Sequence, residues 1–414
     1  MRVFKHIKHI SGKSKSSRLQ TYIAPPGYIK FGVLMICTVM TALCFINGIG
    51  AEQQHTDNAT CDDITKDKII GISDGIPGSI REYLPDEVFS EDFDSFIESL
   101  GKISDSSYLY NSIASSLKKE MGGFFRLTAT LLGLIIFACI VKTVKESMVS
   151  GKMQSAFSFC ADTAILAAFV SGGFTGITGT IQYIESLNIF ISGILPATSA
   201  LYASGGNVKT ALVGTVGFMT FLAVSSYICN TALKAVTSVC IALTLCSSIA
   251  PSINLKSLGN FIKRTFFTIL SFIMMILLFS MSVQTSLSSA QDSISARTAK
   301  FFVGNIIPVV GGSVSDTIRT LSTSISFLRK TIGLGSVIII LIMFIPHAIS
   351  LFLTRTAYNM CGAFADILGC DSQGSLLREI GSIYGNVIAV TTVCSIMFIF
   401  SLTMFAGSTV AISQ

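Results

Sequence analysis

The sequence predicts an all-α protein, a polytopic transmembrane helical bundle with an N-terminal signal segment and a small extracytoplasmic helical region. Half of the 414 residues are hydrophobic and only 13% are charged, whereas an ordinary soluble domain carries about a quarter of charged residues. The mean hydropathy is +0.68. The apolar residues come in closely spaced runs, each near the roughly 20 residues that cross the hydrocarbon layer. Together these observations exclude a soluble globular protein.

Residues 1–50 form a basic head and a signal peptide or anchor. Seven of the 29 basic residues lie in the first thirty positions, and an apolar run, 31–50, follows directly and ends at the small residues Gly48 and Gly50. This order is typical of a signal sequence, although an uncleaved anchor stays open because the basic part is long. The positive-inside rule places the head in the cytoplasm, and this interpretation is favoured over an arm that binds nucleic acid.

Residues 51–122 are the sizeable polar segment, and the signal places them outside the cytoplasm. The segment begins acidic, and apolar residues recur at helical spacing between 88 and 103. The pattern predicts an amphipathic helix. It either caps the membrane domain or docks a partner outside the membrane. The cap is favoured because the periodicity requires only some apolar counterpart.

The remaining chain is predicted to be mostly membrane-embedded. Residues 123–290 hold about six spans, and residues 331–414 hold two C-terminal spans with a connecting amphipathic segment. The predicted spans lie near 124–141, 157–180, 187–203, 210–230, 235–253, 265–288, 332–353 and 382–407. Pro196, Pro251 and Pro346 interrupt three of them, and such breaks need shielding by protein or a cavity.

Orientation follows from the distribution of cations. With 51–122 outside, the connections 142–156 and 254–264 fall inside. They carry Lys142, Lys145, Lys152, Lys256, Lys263 and Arg264. The outer connections 181–186 and 231–234 hold fewer cations, as the positive-inside rule requires.

Ionisable residues at membrane depth are candidates for function. Asp162 lies inside a predicted span, where a lone charge costs several kcal/mol. It could relay a proton or cation, or pair with Arg126 or Lys209, and the sequence leaves both open.

No enzyme chemistry is predicted. The chain has no G-x-x-x-x-G-K-[ST], H-E-x-x-H or G-x-S-x-G sequence, so neither ATP hydrolysis nor metal-dependent or serine hydrolysis is expected. The cysteines fall mostly in apolar runs and the four histidines are scattered, so no cofactor or metal site is expected either.

Residues 291–330 are predicted to form an amphipathic or re-entrant hairpin on the outer side. Apolar residues follow helical spacing on both sides of a break at Pro308–Gly312. Such a hairpin lies at the interface or dips into the membrane where protein shields it. We expect it to contact another subunit, the alternative being a lid on the protein's own spans. The candidate functional residues here are Arg297, Lys300, Asn305, Pro308, Gly311, Gly312 and Asp316.

The run ARTAKFFVGNIIPVVGGSVSDT, from Ala296 to Thr317, closely resembles the signature of the stage III sporulation protein AE family. The resemblance implies a mother-cell membrane component of a secretion or channel complex that joins mother cell and forespore. The implied location is the mother-cell-derived outer forespore membrane. The implied partners are other stage III sporulation A-operon proteins, including a secretion-type ATPase and ring-forming subunits, stage II sporulation protein Q across the intermembrane space, and membrane lipid. No nucleic acid is implied.

Two functions remain open at this stage. The first is that of a structural and conducting component of such an assembly, favoured by the signature run and the absence of catalytic motifs. The second is a stand-alone secondary transporter with Asp162 at an intramembrane site. Transporters of that class often contain repeated halves, and the sequence shows no convincing internal repeat.

Overall fold

Seven α-helices and one π-helical turn make up the described part of the chain, which the computed structural model gives as residues 106–147, 151–249, 255–306 and 311–406. All these residues belong to one unit, 56–414. The helices are α1 Ser106–Ser147, α2 Gly151–Ser204, α3 Val208–Tyr227, α4 Lys234–Ile249, α5 Leu255–Ile306, α6 Gly311–Ile367 and α7 Asp371–Ala406. This part contains no strand, so the predicted all-α class is confirmed for it. The predicted signal segment and the amphipathic stretch near 88–103 lie outside the described residues.

Six helical stretches in the described residues are long and apolar enough to cross a membrane, which indicates a multi-pass membrane protein. They are Tyr110–Val144, Gly176–Ser204, Val208–Ser247, Ser257–Ser295, Ile332–Ile367 and Asp371–Thr403. The sequence predicted eight spans, six of them between 123 and 290. Among the described residues between 106 and 306 there are four such stretches, and two pairs of predicted spans each lie on one continuous helical run.

Both mergers remove a predicted outer connection. Helix α2 runs through 181–186 and through Pro196 without a break, since neighbouring helices in a membrane bundle tolerate a proline. Helices α3 and α4 are joined by the π-helical turn Ile228–Leu233, which widens the helix locally without ending it. Without these two connections, there are two fewer membrane crossings between 142–156 and 254–264, and the number of crossings stays even. The prediction that these segments share one side and that 291–330 lies on the opposite side is therefore unchanged.

Glycine closes the two tight turns between consecutive helices. Gly206, after α2, has φ of 79°, and Gly369, after α6, has φ of 75°. In both turns the glycine N–H and the next N–H bond back to the last helical turn, as Gly369 N to Asp366 O at 3.0 Å and Cys370 N to Ala365 O at 2.8 Å. This is the Schellman motif, whose left-handed position favours glycine.

The antiparallel hairpin of α6 and α7 forms the centre of the helix packing, and its turn lies at what we call the inner end. Helix α1 runs parallel to α6: Thr128 O accepts from Cys361 Sγ at 3.8 Å, and Lys142 Nζ donates to Gly369 O at 2.5 Å. Helix α2 packs on both hairpin helices and on α3, while α5 packs on α3, α4 and α7. The turn between α2 and α3 lies at the opposite, outer end.

Candidate functional site: a polar column between three helices

A polar seam joins the inner halves of α6 and α7. At four successive levels, a polar side chain of one helix lies over a glycine of the other. The pairs are Asp366 with Gly374, Arg378 with Gly362, Asn359 with Gly381, and Arg355 with Gly385. Each step of three or four residues along α7 matches an equal step back along α6, so the seam keeps one antiparallel register.

The glycines of the seam are required by the closeness of these side chains. A Cβ atom on Gly381 would lie 2.6 Å from Asn359 Oδ1, and one on Gly385 would lie 3.1 Å from Arg355 Cζ. Both separations are shorter than ordinary van der Waals contact. The glycines therefore make room for polar groups inside a helix pair, a use of small residues that is common between membrane helices.

The innermost level of the seam is an ion pair. Arg378 Nη1 donates to Asp366 Oδ2 and also reaches Gly362 O at 3.4 Å. Arg378 is 44% exposed and Asp366 is 30% exposed, so this level is in contact with the surroundings of the inner end. The seam begins at that surface and continues into the bundle.

A second group of polar side chains, the upper cluster, continues outward where α2 joins the hairpin. Thr180 Oγ1 lies 3.2 Å from His347 Nε2 and donates to Gly176 O at 3.0 Å. The ring of Tyr183 stacks on His347 with centroids 4.7 Å apart and planes 10° apart. Tyr183 OH is 2.7 Å from Ser395 Oγ.

Tyr384 connects the seam to the upper cluster. It is the residue before Gly385, which faces Arg355, and its hydroxyl bonds to the backbone of Gly176. A Cβ on Gly176 would lie 2.7 Å from that hydroxyl, so the glycine is needed for the contact. We call the seam, Tyr384 and the upper cluster together the polar column.

The column meets an aromatic layer at its outer side. Phe344 and Phe398 lie one turn outward of His347 and Ser395, and Phe190 lies two turns outward of Tyr183; all three are fully buried. Phe398 packs edge-on against Phe221 with centroids 4.6 Å apart. Ser401 Oγ, three residues beyond Phe398 on α7, and Asn188 Oδ1, two residues before Phe190 on α2, are buried without a hydrogen-bond partner among the described residues. Along α7 the layer therefore lies between Ser395 of the upper cluster and Ser401.

The side chains of the column interact by hydrogen bonding, ring stacking and one ion pair. Within the described residues there is no group of three or more His, Cys, Asp and Glu side chains that could hold a metal ion. Buried hydroxyl, amide and imidazole groups between membrane helices hold the helices together, and an imidazole can also carry a proton.

Two further polar contacts attach α5 to the bundle, one at each end. At the inner end, Lys263 Nζ donates to Glu379 Oε2 and to Ser382 Oγ on α7, each at 3.2 Å. At the outer end, the buried carboxylate of Asp292 accepts from the backbone N–H groups of Lys209 and Thr210 at the start of α3. We interpret these contacts as structural, because each joins one helix to another.

The residues predicted from sequence lie elsewhere. Asp162 is in α2, and its side chain is outside the described part, so its role stays a prediction. Arg297 is exposed on α5. Helix α5 continues to Ile306 and α6 begins at Gly311, so residues 291–306 and 311–330 are helical, as extensions of membrane-crossing helices. Pro308 lies outside the described residues. The side chains of Lys300, Asn305 and Asp316 also lie outside the described part. The roles predicted for these residues, and for Gly311 and Gly312, stay predictions.

The column is not evident from the sequence. His347 follows Pro346 in a strongly apolar run, and the hairpin glycines recur with polar partners at three- and four-residue steps. Those steps are visible in the sequence, but the partner of each glycine depends on the hairpin register. The register becomes clear only once the turn at Gly369 is placed.

Comparison with known proteins places this architecture in a family. The profile of the Stage III sporulation protein AE family matches residues 92–409, which include the whole polar column and all six apolar stretches. The chain belongs to the Stage III sporulation protein AE family. Stage III sporulation protein AE of Bacillus subtilis (strain 168) is 25% identical over 300 residues, which are 72% of this chain and 73% of that relative. No solved structure matches the chain.

Membership in the Stage III sporulation protein AE family makes this chain a stage III sporulation protein and confirms the resemblance seen at Ala296–Thr317. The match covers the described helices and not the basic head. The polar column is therefore a feature of the part of the chain that the family shares.

Proposed function

We propose that the chain is an integral membrane component of a sporulation-specific secretion or channel complex that links mother cell and forespore, required for forespore development after engulfment. The observation that carries the proposal is the family match over residues 92–409. The multi-pass architecture agrees with it. Its proposed location is the mother-cell-derived outer forespore membrane, and it acts without enzymatic activity of its own.

The exposed faces of the peripheral helices support a role within an assembly. Helix α5 leaves a continuous apolar face uncovered, with Ile269, Phe272, Ile276, Phe279 and Val283 exposed at three- and four-residue steps. Helix α1 exposes Ile136, Phe137 and Ile140. Lipid or neighbouring subunits cover such faces in a membrane.

The proposed partners are those that the family resemblance implies: a secretion-type ATPase, ring-forming subunits of the same operon, and stage II sporulation protein Q across the intermembrane space. The extended ends of α5 and α6 on either side of 307–310 are the part of the chain proposed to meet them. The exposed cation Arg297 lies on that part.

The test uses an endospore-forming host in which this chain, with an affinity tag, is the sole copy. Affinity purification from sporulating cells should recover the partner proteins, and a fluorescent fusion should surround the forespore during engulfment. Uniform distribution over the cell membrane, with no partner recovered and normal spore yield after deletion, would refute the proposal. Specific, saturable solute flux by the purified protein alone in liposomes would instead support a stand-alone transporter.

A further inference from the structure

We propose that Lys234 and Arg264 bind the phosphate group of an anionic phospholipid, whose acyl chains lie along the exposed faces of α3 and α5. This inference does not depend on the proposed function. The two cations come from different helices, Lys234 from the start of α4 and Arg264 from α5, and both are exposed. Basic groups between membrane helices are a known kind of site for anionic lipid headgroups.

Two contacts fix the register between α5 and the continuous helical run of α3 and α4. In the outer half, a Cβ on Gly217 would lie 3.7 Å from Met281 Cγ. At the inner end, Cys240 Sγ is 3.9 Å from Gly259 O. The two runs between these contacts have nearly equal length, 23 residues inward along α3 and α4 and 22 residues back along α5. The helices are therefore antiparallel neighbours over this whole length.

This register places Lys234 and Arg264 at the same level. Counted inward from the contact of Gly217, Lys234 lies opposite residue 264, and counted outward from the contact of Cys240 it lies opposite residue 265. The difference of one residue agrees with the π-helical turn Ile228–Leu233, since a π-turn contains one extra residue. Packed helices have axes about 8–10 Å apart, so the long side chains of both cations can reach one phosphate group.

Both cations lie where the uncharged part of their helix ends. On the run from α3 to α4 no charged residue lies between Lys209 and Lys234, and on α5 none lies between Arg264 and Asp292. Each uncharged stretch exceeds the roughly 20 residues that cross the hydrocarbon layer. Since a charge inside that layer is costly, Lys234 and Arg264 belong to its inner edge, where the phosphate groups of lipids lie.

Outward of the cations, the exposed residues of both helices are apolar. They are Phe272, Ile276 and Phe279 on α5, and Tyr227 and Val216 on α3. Because the two helices are antiparallel neighbours, their exposed apolar residues border each other and continue outward from the level of the cations. A soluble phosphate ester would contact the cations alone, whereas a phospholipid contacts the cations with its headgroup and the apolar residues with its acyl chains. The surface therefore favours a lipid.

The positive charges of Lys234 and Arg264 are not neutralised by the described residues, with which neither side chain forms an ion pair. Glu379 of α7 lies at this level, but its carboxylate accepts from Lys263 Nζ and is already partnered. The two cations are thus left to an external anion. A guanidinium and an ammonium group both form charge-assisted hydrogen bonds with phosphate.

The test measures lipid binding to the delipidated full-length protein in detergent by native mass spectrometry. Dioleoyl phosphatidylglycerol is the anionic probe and dioleoyl phosphatidylcholine the zwitterionic one. We expect saturable, tighter binding of phosphatidylglycerol, weakened by about tenfold or more in the double variant Lys234→Gln and Arg264→Gln, which loses both charges. The charge-conserving double variant Lys234→Arg and Arg264→Lys should keep most of the affinity. Equal affinity of phosphatidylglycerol for the native protein and the Gln double variant would overturn the proposal.

The matched control is the double variant Lys118→Gln and Arg126→Gln. Both side chains are exposed and the change in net charge is equal, but the two lie eight residues apart on one helix instead of at one level on two helices. We expect the affinity for phosphatidylglycerol to stay within about twofold of the native value. Equal weakening by the two Gln double variants would reduce the effect to net charge and overturn the site.

A soluble competitor distinguishes a lipid from a free phosphate ester. We expect sn-glycerol 3-phosphate, which has the phosphate and no acyl chain, to leave phosphatidylglycerol bound when both are present at equal concentration. Displacement of the lipid under these conditions would show that the apolar faces of α3 and α5 contribute nothing, and would overturn the assignment to a phospholipid.

Discussion

The carboxylate of Asp292 caps the start of helix α3 from a helix 82 residues away in sequence, by accepting from both the backbone N–H and the hydroxyl of Thr210 at 2.8 Å. Its other oxygen accepts from Lys209 N at 3.2 Å. Asn207, at the N-cap position, makes no side-chain capping bond. The unpaired N–H groups and the positive end of the helix dipole therefore find their partner in α5.

Replacing Asp292 by Ala should destabilise the protein by about 1–2 kcal/mol, because three donors at the start of α3 lose their acceptor. Asp292→Asn should cost less, since the amide oxygen still accepts. Thermal unfolding in detergent measures both. The control is Gln291→Ala, at an exposed neighbouring position on the same helix. Equal melting temperatures for Asp292→Ala and Gln291→Ala would show that the cap contributes nothing.

The Lys263–Glu379 ion pair attaches the inner end of α5 to α7. It predicts a loss of stability that a second substitution partly reverses. Glu379→Gln removes the carboxylate opposite Lys263, which is only 9% exposed, and leaves its charge with Ser382 alone. Breaking a largely buried pair by removing one partner should cost about 3 kcal/mol. The double variant Lys263→Met and Glu379→Gln should recover part of this loss, because no unpaired cation remains. A double-mutant cycle on unfolding free energies measures the coupling.

Arg264→Met is the matched control for Lys263→Met. Arg264 is the next residue along α5, it is exposed, and its replacement changes the net charge equally. Exposed charges contribute about 0–1 kcal/mol, so we expect little effect. If the two single variants are equally stable, the Lys263–Glu379 contact is not an attachment of α5.

The seam predicts that glycine is required at Gly381 for steric reasons. Gly381→Ala places a Cβ against Asn359, and the strain should cost about 1–3 kcal/mol. Gly133→Ala is the control, because Gly133 is also in a helix and a Cβ there meets nothing within 4 Å. There alanine should stabilise by up to about 1 kcal/mol through helix propensity. Opposite signs in thermal unfolding confirm the seam, and equal signs contradict it.

The sequence predicted the helical class, because composition and the periodicity of apolar residues are local signals. It did not predict that 181–186 and 231–234 lie inside helices. Glu185 and Lys234 reduce hydropathy locally and look like loop residues, yet both are exposed on continuous helices. Whether a helix continues there depends on the neighbours that pack against it.

The two polar attachments of α5 could not be predicted from the sequence for a related reason. Asp162 was a candidate because it is an acid within a predicted span. The buried ionisable residues Asp292 and Lys263 lie just outside the ends of the predicted span 265–288. Their partners come from other helices, at separations of 82 and 116 residues. Such pairs are set by helix register, which hydropathy does not encode.

Cys370, in the turn between the last two membrane helices, should react slowly with alkylating reagents. Burial raises the pKa of its thiol, and the nearby Cys139 acts in the same direction. Because the thiolate is the reactive form, a raised pKa lowers its fraction at any given pH below full ionisation. Alkylation of the native protein, followed by peptide mass spectrometry from about pH 7 to about pH 10, should show Cys370 modified later than the exposed Cys246. Modification of Cys370 at the lower pH would contradict this.

The side of Lys234 distinguishes six membrane-crossing helices from eight. Eight spans would put 231–234 in an outer connection, on the side of Arg297. In the structure Lys234 lies 26 residues, about 39 Å along a continuous helix, beyond Val208 at the outer end. Six residues later, Cys240 Sγ contacts Gly259 O near the start of α5.

Lys234 therefore belongs to the inner end. We expect Lys234→Cys, in a Cys-free background, to react with an impermeant thiol reagent from the same side as Lys256→Cys. Arg297→Cys should react from the opposite side, because α5 crosses the membrane between residues 256 and 297. Intact cells and inverted membrane vesicles provide the two sides. Labelling of Lys234→Cys together with Arg297→Cys would restore the eight-span arrangement and refute the continuous helix through Ile228–Leu233.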